Sequence, residues 1–292
     1  MAFDSLASLT ACCEKKEKPF WRVVCENEQR ESGLSQAQEL KKMQTLWAAM
    51  LSAADAYDAN LFSASGLTGS DGGKFETYLK GGTSICGSFT GAVIAQALQM
   101  GESNACMKRI VASPTAGSCG VLPAVLVPLY REKKFTESRI IESLFTAAGI
   151  GQVIANRASI SGAEGGCQAE IGSAAAMAAG ALVSLFGGTP QQIINAAGFA
   201  LQNLLGLVCD PVAGLVEIPC VKRNVIGALD ACSCADMALA GIVPKIPPDE
   251  VIDALRQTGD KMDVSLKETG QGGIAATPTG RQIAQTLSEK NG

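Results

Sequence analysis

Three cysteines sit where a thiol can do chemistry instead of packing. They occur in the phrases Gly165-Gly166-Cys167-Gln168, Val208-Cys209-Asp210-Pro211 and Ile218-Pro219-Cys220-Val221. The glycine, proline or acid beside each of them breaks helices and makes turns. A thiol at a turn can point into a cavity, where one on a helix face is usually packed. Three thiolates gathered at one point suit a [4Fe-4S] cluster with one iron left without a protein ligand. That iron is a Lewis acid able to take a carboxylate and a hydroxyl from a substrate and make the hydroxyl leave. A structural zinc site closes instead with four thiolates or imidazoles, and this chain has no histidine. A second reading stays open on spacing alone, because packing as a small hydrophobe is the default for cysteine. The other cysteines are poorer ligands. Cys12 and Cys13 adjoin a charge cluster, Cys232 and Cys234 lie on an apolar helix and cannot face one way, and Cys106 and Cys119 suit a core.

The composition limits what else the chain can do. Its 292 residues suit one large domain or two small ones. It is 47% hydrophobic, 18% charged and only 5% aromatic, with 32 glycines, so it packs closely through small side chains. A net charge of −4 argues against nucleic acid, which needs clustered Lys and Arg. The lack of histidine removes the commonest general base. Eleven cysteines, an odd number, fit a reduced compartment. Leu9-Thr10-Ala11-Cys12 is a chance likeness to a lipoprotein cleavage site, since its apolar stretch is short and lacks a basic flank. The apolar run 171–186 is shorter than the roughly 20 residues that span a bilayer. The expectation is a cytoplasmic protein that binds no membrane.

The elements that must hold these thiols are helices. Alternating strand patterns are rare, so the class is all-α, a compact multi-helix domain with glycine-rich loops around the site. Residues 1–33, with the charge cluster Glu14-Lys15-Lys16-Glu17-Lys18, read as a surface helix. Ser35 opens the next helix, on which Leu40, Met43, Leu46, Trp47, Met50 and Leu51 form an apolar stripe. Helices follow over 88–101, 121–130, 138–156, 169–186, 190–207, 222–240 and 248–267. Pro190 and Pro248 suit first-turn positions. Four glycine- and hydroxyl-rich loops separate them, at 65–74, 112–120, 159–166 and 268–280. The first can bring backbone amides to an anion at the start of the helix behind it. We divide the chain into a helical segment, 1–60, packed on a catalytic unit, 61–292, the two forming one continuous domain.

Several phrases together resemble a known family. They are Ser65-Gly66-Leu67-Thr68-Gly69, Pro114-Thr115-Ala116-Gly117-Ser118, the run 158–170 ending in Cys167-Gln168-Ala169-Glu170, the run 209–224 containing both later cysteines, and Glu268-Thr269-Gly270-Gln271-Gly272-Gly273. Over about residues 60–285 the chain resembles the catalytic α chain of bacterial iron–sulfur L-serine dehydratases. The resemblance implies a [4Fe-4S] cluster on Cys167, Cys209 and Cys220. It implies a lyase that removes water from L-serine, with the resulting aminoacrylate falling to pyruvate and ammonia, a step of amino-acid catabolism that can feed gluconeogenesis. Substrate contacts are expected at Ser65, Gly66, Thr68, Gly69, Thr115, Ala116, Gly117, Ser118 and Ser161. Lys74, Lys222 and Glu268 are the candidate bases, each with a solvated or ion-paired charge as its plain alternative.

The chain departs from the family pattern at Ser70 and Gly72 and over its first 30 residues. It also lacks the β part with its Ser-Ser-Ser-His-Thr motif, so a separate β subunit and an oligomeric enzyme are expected. The alternatives are a related iron–sulfur lyase such as an L-cysteine desulfidase, and a non-catalytic helical scaffold. A pyridoxal-phosphate enzyme is weakly imitated by Lys80-Gly81-Gly82.

Overall fold

A computed structural model describes residues 3–82 and 84–291. Met1, Ala2, Thr83 and Gly292, which fall inside the two divisions drawn above, lie outside the described residues. In chain order the helices are α1 (Leu6–Lys16), α2 (Phe20–Ser32), α3 (Gln36–Asp55), α4 (Asp71–Lys80), α5 (Gly87–Ala105), α6 (Val121–Arg131), α7 (Glu137–Arg157) and the single turn α8 (Gly162–Gly165). They continue with α9 (Ser173–Leu185), α10 (Pro190–Asn203), α11 (Cys220–Leu239), α12 (Pro248–Lys261) and α13 (Pro278–Asn291). The fold is all-α, and β structure among the described residues is limited to two isolated bridges. None of these helices is long and apolar enough to cross a membrane.

The core is built around α9. Its sequence is apolar on every face, the mark of a helix buried all round, and every residue of it except Ser184 is buried. Helices α6, α7, α10 and α11 pack against it. Its alanines and glycines let them come close. A β-carbon at Gly180 would collide with Ile150 of α7, and one at Gly151 of α7 would stand 2.9 Å from the Met177 sulfur of α9. The partner helices start on strong signals. Thr189 caps α10 in a reciprocal capping box with Gln192, with Pro190 in the first turn, and Ser35 does the same with Gln38 on α3.

Several elements differ from the expectation. Residues 1–33 form two helices, and neither is confined to the surface, because Leu6, Leu9, Phe20, Val23 and Cys25 are fully or almost fully buried in the main core. The charge cluster falls at the break between them, where α1 ends at Glu17 in a left-handed conformation. The helix expected over 248–267 stops at Lys261. The stretch read as a loop to residue 280 instead starts α13 at Pro278. Proline costs nothing at a first helical position, so the Pro-Thr-Gly signal marks a helix start there and not a turn.

Candidate active site around three cysteines

Helix starts and one extended segment carry the three thiols. Cys167 precedes the π-turn Gln168–Gly172 that leads into α9, and Cys220 is the first residue of α11. Cys209 lies between α10 and α11, in a parallel bridge with Lys267. There the Cys209 N–H donates to Leu266 O at 2.8 Å, and the Glu268 N–H donates to Cys209 O at 2.7 Å. Cys167 and Cys209 are buried and Cys220 is half-buried. The three lie within electrostatic reach of one another: the charges of Cys167 and Cys220 act on Cys209, and that of Cys167 acts on Cys220. Burial pushes Cys167 and Cys220 up to about 12, with Arg223 pulling both back. Burial also raises Cys209, and the Cys167 charge adds to it. Among the described residues no three Cys, Asp or Glu side chains are set to hold a metal ion. The ligands of a cluster each meet a different iron, so they stand farther apart than ligands sharing one ion.

One guanidinium braces all three cysteine segments. Arg223 lies one helical turn after Cys220. Its Nη1 donates to Val208 O at 2.7 Å, its Nη2 pairs with Asp210 Oδ1 at 2.8 Å, and it also reaches the Cys167 thiol. This is the use to which the rigid, many-donor fork of arginine is suited. Asp210 in turn accepts from the Ile274 N–H at 2.7 Å, tying in residues 273–276. Asn224 does the same for the 112–120 turn. Its Nδ2 donates to Gly117 O at 2.8 Å and Cys220 O at 3.0 Å, and its Oδ1 accepts from Gly120 N–H at 2.8 Å. Gln168 fixes the remaining side: its N–H donates to Leu207 O at 2.8 Å, and its Oε1 accepts from Gly206 N–H at 2.8 Å.

A carboxylate stands among these groups. Glu170, on the π-turn, accepts from the Thr115 hydroxyl and the Gly162 N–H. A β-carbon on Gly162 would lie 2.9 Å from Glu170 Oε2 and 3.0 Å from Cys209 Sγ, and one on Gly117 would lie 3.2 Å from Oε2. Two of the glycine-rich turns therefore close on Glu170 because glycine leaves room for it. Burial raises its pKa, and the Glu268 charge adds to the effect.

The remaining expected residues fall into four groups. Thr115 and Ser118 hydroxyls lie 3.1 Å apart, with Ser118 fully buried, while Ala116 and Gly117 lend their carbonyls to Asn104 and Asn224. Ser161 is half-buried at the start of α8. The loop containing Ser65, Gly66, Thr68 and Gly69 folds onto a different carboxylate. Ser65 Oγ donates to Glu217 at 2.8 and 2.9 Å, and Ser63 Oγ donates to it at 2.6 Å. The anion expected at the start of α4 is the protein's own Glu102, which accepts from the Asp71 and Gly72 N–H groups at 2.7 and 3.1 Å. Of the base candidates, Lys74 and Lys222 share Asp71, at 3.1 and 2.6 Å, on an exposed groove of about 600 Å³. Glu268 is exposed, and its charge acts on Glu170 and Cys209.

Sequence reasoning missed Glu170, Asp210, Arg223, Asn224 and Glu217. A signal for them existed. They are charged or amide residues inside apolar, cysteine-bearing phrases of a chain only 18% charged, and a buried charge needs a partner.

Comparison with known proteins agrees with this picture. The family described as "Serine dehydratase alpha chain" matches residues 15–275. A probable L-serine dehydratase alpha chain of Bacillus subtilis is 53% identical over 225 residues, which cover 77% of this chain and 75% of the relative. An L-serine dehydratase alpha chain of Peptoniphilus asaccharolyticus is 49% identical over 206 residues, covering 70% of each chain. An L-serine dehydratase of Escherichia coli is 46% identical over 181 residues, covering 61% of this chain but only 40% of that longer one.

Proposed function

This chain belongs to the serine dehydratase alpha-chain family, and on that premise we propose that it converts L-serine to pyruvate and ammonia in the cytoplasm, completed by a separate β chain. The observation that carries the reading is that Arg223 braces Cys167, Cys209 and Cys220 together inside the region matched by the family. These cysteines are the ligands in our reading. Three buried or half-buried sulfur donors brought together from separate segments suit a soft, multiply charged iron–sulfur group. When bound, that group supplies a Lewis-acidic iron which draws electron density from the substrate hydroxyl.

The chain's own residues bind, orient and deprotonate. The turns carrying Thr115–Ser118 and Ser161 hold the substrate carboxylate through amides and hydroxyls. The loop Ser65–Gly69 forms the outer wall, stiffened by its hydroxyl bonds to Glu217. Glu268 takes the α-proton: of the three base candidates it is the one whose charge reaches Cys209. Lys74 and Lys222 act as a surface pair around Asp71. Residues 1–60 and 61–292 work as one continuous domain.

The test is anaerobic purification with iron and sulfide analysis, then a serine assay with and without the β chain. Cys167→Ser, Cys209→Ser and Cys220→Ser should each lose the iron, while Cys232→Ser keeps it. Equal iron in all four variants refutes the ligand assignment. Sulfide from cysteine without pyruvate from serine would instead favour the desulfidase.

A further inference from the structure

Glu170 is a half-buried acid that stands beside Cys209. Its partners are one hydroxyl and one backbone N–H, and among the described residues it forms no ion pair. The neighbouring acid Asp210 is different, because Arg223 neutralises it at 2.8 Å. The charge of Glu170 acts on all three cysteines, and Glu268 adds another negative charge that acts on Glu170 and Cys209. The centre is thus rich in anionic groups and holds one arginine already committed to two of them. Glu217 is buried with no ion pair among the described residues, and its charge acts on Cys106.

Chemistry says what belongs beside such a carboxylate. A substrate carrying an α-ammonium brings the missing cation. An ammonium donates up to three charge-assisted hydrogen bonds, roughly twice as strong as neutral ones. The Gly162 N–H and the Thr115 hydroxyl point the carboxylate, and the bare α-carbons of Gly117 and Gly162 let their turns close on it beside Cys209. We infer that Glu170 is the substrate-ammonium receptor, so that it selects amino acids over the hydroxy acids that share their carboxylate and hydroxyl. This rests on the serine-dehydration reading and adds a named contact to it.

The test compares L-serine with 3-hydroxypropanoate, which lacks only the amine, on the iron-loaded chain with its β partner. Affinities come from calorimetry as well as from KM and competitive inhibition. Breaking a buried charge pair corresponds to a loss of about 30-fold or more. Glu170→Gln, which keeps the shape and an acceptor for the Gly162 N–H, should weaken serine by that factor. It should leave 3-hydroxypropanoate within about two-fold and the iron content unchanged. Glu170→Asp, with the charge drawn back by one carbon, should fall between the two. An equal loss for both ligands, or serine affinity unchanged, overturns the assignment. If Glu170→Gln does not fold, the native protein decides: equal affinity for the two ligands overturns it, and a preference for serine that shrinks in Glu170→Asp supports it. A fully iron-loaded native complex that binds serine but makes no pyruvate would sink the dehydratase reading and leave the ammonium contact standing.

Discussion

Arg223 is the residue on which the three cysteine segments depend. Its side chain is 13% exposed and that of Asp210 is 3% exposed, so neither charge has water to fall back on. Arg223→Gln leaves Asp210 buried without its counter-charge, an alteration worth about 3–5 kcal/mol. The expected result is a lower urea midpoint at unchanged m-value, together with reduced iron content. Arg223→Lys keeps the charge but not the fork, so it should recover part of the stability and little of the iron. A full recovery by lysine would show that charge alone suffices. The cysteines were legible in the sequence because turn-forming neighbours flag them. The Arg223–Cys220 relation was legible too, being one helical turn apart. The meeting of Glu170 with Thr115 and Gly162 was not. It depends on how two distant turns are stapled, by Asn224 on one side and by the π-turn on the other.

At the scale of elements, the bundle is held by small residues and caps. Gly180→Val on α9 should drive α7 outward through Ile150 and cost about 1–3 kcal/mol. Thr189→Ala, which removes the cap of α10, should cost about 1 kcal/mol. Thermal melts of both variants check the order: the packing change is predicted to exceed the capping change. Much of the helical pattern could be read from apolar content and periodicity, and α3 and α12 each bury one face. The first 33 residues misled because a run of five charged residues dominates the local composition, while the buried positions that define α1 and α2 are few and spread out. The start of α9 misled differently. Its apolar pattern runs unbroken through Ile171, so periodicity could not register the π-turn that swings Glu170 toward the cysteines.

For the molecule as a whole, an ion pair between distant helices contributes to stability on the acid side. Arg157 on α7 grips Asp253 on α12 with two hydrogen bonds, of 2.7 and 2.8 Å, and holds its carboxyl below the usual range. A depressed carboxyl contributes stability that is present above its unfolded pKa and lost as pH falls through the folded one. Half-buried Asp230 runs the other way. Burial raises it, with Asn203 opposing, so its contribution is full at low pH and lost as pH rises through the folded pKa. Melting temperature against pH should therefore lose part of its acid-side fall in Asp253→Asn and part of its decline above the acid range in Asp230→Asn. Curves parallel to the parent would refute both. The Arg157 pair is partly exposed, so its effect should be small and shrink in high salt. The strand pairing of Cys209 with residues 266–268, and the grip of Asp210 on Ile274, have a consequence for biogenesis. One side of the Cys209 segment is covered by residues 266–274, which are translated after all three thiols. A nascent chain that has displayed all three sulfurs still lacks that cover. Until it forms, the thiols stand open to oxidants, and synthesis in air should harm this protein more than storage of the folded form.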